Sequence, residues 1–160
     1  MLKQTILDSY VKVRNQMNPY IEPTNPEWCK YLRMNMEEFS IAVNKMPYKW
    51  DKLNGLIDKT DDINRFWDKK DSDRDCDDFA RAWTTWGVNN GYHAQEVIIS
   101  TEEHVAKKAH VITILNKDDE YVLCNYTAYV GFNSFSEALN YMKYFPSYKN
   151  GFIYSKGVKV

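Results

Sequence analysis

From residue 71 to residue 91 the chain changes character, and this stretch constrains the fold more than any other. An acidic polar run, DSDRDCDD, leads into an apolar pattern: Cys76, Phe79, Ala80, Trp83 and Trp86 or Gly87 fall at i, i+3, i+4, i+7 and about i+11. Side chains at that spacing share one face of an amphipathic helix. Asn89-Asn90-Gly91 supplies its C-terminal stop, because glycine takes the left-handed conformation that ends helices. Such a face has to be buried against another layer. The residues that follow offer that layer as strand-like segments: HAQEVIIS, then AHVITILN, then EYVLCNYTAYV. Lys117-Asp118-Asp119 between the last two reads as a hairpin connection.

The first 70 residues read as helical. Residues 2–17 place Ile6, Tyr10 and Val13 on one face. In PTNPEW, Asn25 can cap and Pro26 suits the first helical position, which starts a helix running on through Tyr31, Met34, Met36, Phe39 and Ile41. Met46-Pro47 ends it, since the residue before a proline avoids the α region. Thr60 or Asp61 can cap a short helix carrying Ile63, Phe66 and Trp67. At the other end, FSEALNYMKYF makes a helix from Ser134 or Ser136 to just before Pro146, and residues 151–160 add a last strand. Helices, one central helix and mostly antiparallel strands make an α+β fold. The 160 residues read as a single domain, with a helical part over 1–70 and the strand-bearing core over 71–160.

Composition narrows the function classes. Lys+Arg 21 against Asp+Glu 22 leaves a formal charge of −1, which argues against a nucleic-acid coat. The Tyr- and Lys-bearing tail reads as an aromatic edge of the core rather than a stacking platform. Three cysteines are too few for a disulfide-built scaffold. The N-terminus lacks a signal peptide's apolar stretch, and no apolar run approaches the roughly 18 residues of a membrane span. The expectation is a cytoplasmic protein with reduced thiols and no membrane partner.

Three residues stand out chemically. Cys76 falls at the first turn of the central helix, where free N–H groups and the helix dipole favour a thiolate. Asp75, Asp77 and Asp78 push the other way, so a nucleophile here needs a nearby imidazolium. The plain alternative is a small buried apolar residue. His110 opens the second strand and shares a face with Ile112 and Ile114, which the alternation allows to point at the central helix. Asn125, at the end of the next strand, can be its cross-strand neighbour and orient the imidazole. Together they suggest nucleophile, base and orienter.

The same residues resemble a family. DRDCDDFARAW is similar to the nucleophile motif of transglutaminase-like cysteine proteinases, in the papain-like superfamily, where DC(D/E)D(Y/F)A opens the core helix. AHVITIL resembles the strand start that carries the family's histidine, and an aromatic, Tyr121, stands four residues before Asn125 as in the family. The resemblance covers roughly residues 66–130. It implies a papain-like core and acyl transfer on a protein or peptide amide through a thioester on Cys76, with His110 as base and no cofactor. Hydrolysis is favoured, because no accessory region brings in an acceptor amine; deamidation and transamidation remain open. The family's third residue is usually Asp; Asn125 takes the place here, as Asn does in papain-like enzymes, while an alternative alignment puts Cys124 there. The oxyanion helper ahead of the cysteine is Trp67 or Trp50, beside the Cys76 N–H. The competing reading is an inactive member of the fold used as a protein-binding or inhibitory module.

Metal signals are weaker. Asp71, Asp73 and Asp75 match the first half of a calcium loop, but Cys76 and Ala82 stand where the glycine and the final acid belong. No CxxC or HxxxH pair occurs, so zinc is not expected.

Overall fold

The computed structural model describes residues 2–48, 62–68, 74–101 and 109–160. In chain order they form α1 (Leu2–Met17), α2 (Trp28–Leu32), α3 (Met36–Asn44), a 3-10 turn (Ile63–Arg65) and α4 (Cys76–Asn89). Then come β1 (His93–Ser100), β2 (His110–Lys117), β3 (Glu120–Asn125), β4 (Thr127–Phe132), α5 (Phe135–Asn140), 3-10 turns at Tyr141–Tyr144 and Pro146–Tyr148, and β5 (Ile153–Lys159). The fold is α+β. Its five-stranded sheet runs β4-β3-β2-β1-β5, with every neighbouring pair antiparallel.

Both faces of the sheet are covered at its centre, so β2 is apolar on both sides. On one face, α4 packs Ala80 and Trp83 against Ile98, Val111 and Leu115. The Thr113 hydroxyl donates to the Ala80 carbonyl at 2.7 Å, which fixes the helix over β2. Gly87 lets the two backbones approach: a Cβ there would sit 2.4 Å from Leu115 Cδ2. On the other face, Ala138, Leu139 and Met142 cover Ile112, Ile114 and Leu123. Trp28 and Phe39 from the N-terminal helices share one cluster with Trp83, Trp86 and Leu115. Arg74 ties the short 3-10 segment down by donating to the Phe66 and Asp68 carbonyls.

Several local expectations needed correction. The buried face of α1 is Leu7, Val11 and Arg14; Ile6 and Val13 are exposed. The helix expected to run unbroken from Pro26 past Phe39 is two helices. Asn35 breaks it, because its side chain accepts from Glu38 N–H while the Glu38 carboxylate accepts from Asn35 N–H, a capping box. The single strand expected over 120–130 is a hairpin. Asn125 pairs with Thr127, and Tyr126 is the one residue between them, at φ +61°. The final helix continues as 3-10 after Asn140, and its cap is Ser134. Thr60 and Asp61 lie outside the described residues; Asp62 caps the turn that carries Ile63.

Candidate active site

Cys76 is the first residue of α4 and is buried, 4 % exposed. The acidic run around it is used locally. Asp75 is the N-cap: its carboxylate accepts the Asp77 N–H at 3.0 Å, and the Asp78 carboxylate accepts the Asp75 N–H at 2.9 Å. Asp77 instead faces Arg14 of α1, whose Nε donates to Oδ1 at 2.7 Å and whose Nη2 meets the same oxygen.

That ion pair belongs to a buried network. Arg14 Nη1 stands 3.7 Å from Glu96 Oε1. Arg81 donates to Glu96 through Nε at 2.7 Å and Nη2 at 3.2 Å, and to the Asn18 and Pro19 carbonyls. The Thr84 hydroxyl donates to Glu96 Oε2 at 2.9 Å. Two guanidinium groups thus balance two carboxylates, which is what lets charges stay in a core. The sequence reading missed these groups. Their signal was present: Arg14 is in phase with Leu7 and Val11, and Glu96 alternates with Ala94 and Ile98.

His110 Nε2 lies 2.7 Å from Asn125 Oδ1. The partner is an acceptor oxygen, so Nε2 carries the proton and Nδ1 is left bare, the state a general base requires. The β2–β3 register, Thr113 opposite Cys124, makes the pair diagonal neighbours on one face. Cys124, the alternative third residue, points to the opposite face and packs with Trp83 and Leu115.

The expected face of His110 is corrected by the strand packing. Ile112 and Ile114 face α5 and the 3-10 turns, whereas α4 covers Val111, Thr113 and Leu115. His110 and Asn125 therefore lie on the sheet face away from α4, and the His110 ring is 6.3 Å from that of Tyr148. A gap in the sheet bridges the two sides. Ala94 exchanges both hydrogen bonds with Val160, so alternation directs the backbone groups of Val111, Thr113 and Leu115 at β3. Continued, the β2–β3 ladder would set Val111 opposite Tyr126. Instead the chain reverses at Tyr126, whose carbonyl accepts from Trp83 Nε1 at 3.0 Å. The backbone of Val111, next to His110 in β2, works to lower the Cys76 thiol pKa.

Tyrosines surround this point. The Tyr126 ring lies 5.8 Å from His110, 5.0 Å from Phe79 and 5.5 Å from Tyr48. Burial pushes the Tyr48 hydroxyl up to about 12, even though its hydrogen bond with Tyr126 works the other way. Burial, then the carboxylates of Asp77 and Asp75, push the Cys76 thiol well up; the Val111 backbone and Arg14 oppose them. Burial lowers His110, opposed by the Asn125 hydrogen bond and the Asp77 carboxylate. Both shifts favour the neutral forms, the thiol of Cys76 and the imidazole of His110.

The remaining candidates fall elsewhere. Trp67 is buried among Trp28, Phe39 and Phe66, stacked on Tyr31 with ring centroids 3.5 Å apart, and not in the Cys76 cluster. Its Nε1 has no hydrogen-bond partner among the described residues. Trp50, Asp71 and Asp73 lie outside the described residues. Asp75 spends its carboxylate on the helix cap. Among the described residues, no group of three His, Cys, Asp or Glu side chains is placed to hold a metal ion. No described helix is long and apolar enough to cross a membrane. Cys29 is exposed. Comparison with family models, with curated proteins and with solved structures found no match.

Proposed function

We propose that this protein is a thiol acyltransferase of transglutaminase-like type, acting on a protein or peptide amide, with hydrolysis as the favoured outcome. The observation that carries the proposal is the 2.7 Å contact of His110 Nε2 with Asn125 Oδ1, the base-and-orienter pair that the reaction requires. His110 takes the Cys76 proton as the sulfur attacks the amide carbonyl. The tetrahedral intermediate collapses to a thioester, and the leaving amine takes a proton from the His110 imidazolium. Water activated by His110 then attacks the thioester, the acid is released and the thiol is restored. The Cys76 N–H at the helix start is one oxyanion donor. Tyr48, whose ring lies 6.0 Å from Phe79 of α4 and 5.5 Å from Tyr126, is the polar aromatic ahead of Cys76 that we assign as the second donor in place of Trp67.

A second reading has its own support. The buried, upward-shifted thiol also suits an inactive fold that serves as a binding or inhibitory module. A peptidyl electrophile that alkylates catalytic thiols separates the two. The expected result is one adduct, on Cys76, abolished by Cys76→Ala and strongly reduced by His110→Ala. Adducts spread over Cys29 and Cys124, or on Cys76 at a rate indifferent to His110, would establish the inactive reading.

A further inference from the structure

On the reading of His110 as a general base, we propose that Tyr148 is a positioning residue for its imidazole. Tyr148 and Tyr126 bracket the ring from the two sides of the sheet and fix the plane in which it meets Asn125.

His110 sits where the sheet ends. It is the first residue of β2 and pairs with Ile99 of β1, but pairing with β3 stops at Thr113. Beyond that point the two core layers can reach the same side chain. Tyr126 belongs to the α4 layer, with its ring 5.0 Å from Phe79 and 5.5 Å from Tyr48. Tyr148 belongs to the opposite layer, with Ile112, Leu139 and Met142. The His110 ring lies 5.8 Å from Tyr126 at an interplanar angle of 33°, and 6.3 Å from Tyr148 at 21°. Both separations are within the range of interacting aromatic rings. Tyr148 is firmly mounted. It is 8 % exposed, its ring meets Phe152 edge-on at 6.0 Å, and its N–H donates to the Phe145 carbonyl at 2.9 Å.

The Asn125 hydrogen bond alone leaves the imidazole a freedom that the tyrosines remove. It holds Nε2, at the far end of the ring from Cβ, and the ring torsion of histidine is intrinsically broad. Two rings lying at 33° and 21° to the imidazole plane restrict that torsion, so Nδ1 keeps one direction. They also cover the ring. Burial lowers the His110 pKa, opposed by the Asn125 hydrogen bond and by the Asp77 carboxylate of α4, which is paired with Arg14 of α1. The two tyrosine hydroxyls stay neutral while the imidazole titrates, because burial holds both above their usual value near 10.

Substitution at 148 separates orientation from protonation. The readouts are the His110 imidazole titration by NMR, assigned with His110→Ala, and Cys76 alkylation by iodoacetamide at pH 6.5. Tyr148→Phe keeps the ring and is expected to match the unaltered protein in both. Tyr148→Ala uncovers the imidazole, so its pKa should rise toward the usual value near 6.5. A rise to that value leaves about half of the imidazole neutral at that pH, so protonation alone costs no more than about twofold. Alkylation is expected to fall about tenfold, the excess coming from lost orientation, a part of what a positioned base supplies. Tyr148→Leu, expected to move both readouts in the same directions, serves if the alanine variant fails to fold. A titration that stays put, a loss of alkylation no greater than protonation explains, or a Tyr148→Phe that behaves like Tyr148→Ala would overturn the proposal. If alkylation of the unaltered protein proves indifferent to His110, the catalytic reading fails, and the titration still decides whether Tyr148 brackets the imidazole.

Discussion

Arg14 Nε donates to Asp77 Oδ1 at 2.7 Å, joining the first helix to the residue that follows the candidate nucleophile. Both side chains are buried, so neither has water to fall back on. Arg14→Met leaves the Asp77 carboxylate uncompensated in the core and is expected to cost about 3–5 kcal/mol, as breaking buried pairs does. Adding Asp77→Asn should recover part of that loss, because it removes the stranded charge. Chemical denaturation of the two single variants and the double variant reads the coupling. The same cycle tests the electrostatics of the thiol. Arg14 lowers the Cys76 pKa and Asp77 raises it, so alkylation of Cys76 should require higher pH in Arg14→Met and lower pH in Asp77→Asn.

On the proposed function, Asn125 should set the acid limb of Cys76 reactivity. Burial lowers the His110 pKa, so the imidazole is already neutral and base-competent below the usual value near 6.5. A carboxylate at 125 would favour the imidazolium. In Asn125→Asp the acid limb of Cys76 reactivity should therefore move to higher pH. Asn125→Leu removes a hydrogen bond that raises His110 and frees the ring, so the limb should move lower while the plateau falls. A pH–rate profile of alkylation distinguishes the two. An Asp variant whose limb stays put or moves down would show that residue 125 does not govern the imidazole.

Gly87 is a packing position. In an open helix Gly→Ala stabilises by about 1 kcal/mol. Here the new Cβ meets Leu115 Cδ2 at 2.4 Å inside a filled core, and overpacking of that kind costs about 1–3 kcal/mol. Gly87→Ala is expected to be destabilising by about 1 kcal/mol net. Gly87→Ala with Leu115→Val, which gives the Cβ room, should be less affected than the sum of the two singles. Thermal unfolding measures both.

Much of the fold was legible because its signals are local. Cys76, Phe79, Ala80, Trp83 and Trp86 mark the central helix and Asp75 caps it, but the one-sided pattern understates its burial: every residue from Cys76 to Gly87 is buried, the polar ones through the Arg14, Arg81, Asp77 and Glu96 network. The Lys117–Glu120 hairpin fixes the register, which is why His110 and Asn125 could be paired from spacing alone. The face they occupy was not legible. β2 is apolar on both sides, Ile112 and Ile114 against Val111 and Leu115, so alternation carried no polar marker to say which side meets the helix. Tyr126 was missed because the turn uses neither glycine nor proline. The break at Asn35 had a signal, the Asn35-to-Glu38 capping pattern, masked by the apolar periodicity that continues across it. Trp67 illustrates the converse: an aromatic just ahead of the nucleophile segment, packed into the core by Tyr31 and Trp28.

The central claim is that His110 removes the proton of Cys76. Its most direct test is iodoacetamide alkylation followed residue by residue by mass spectrometry from pH 5 to 9, with Cys29 as the internal control. At pH 6.5 an ordinary thiol is only about 1 % ionised. Cys76 should nevertheless react there, its rate rising with the neutral fraction of His110, and His110→Ala should remove that low-pH limb while leaving Cys29 unchanged. Contradiction would be a Cys76 that follows the simple thiol titration of Cys29, or stays silent, with no response to the loss of His110.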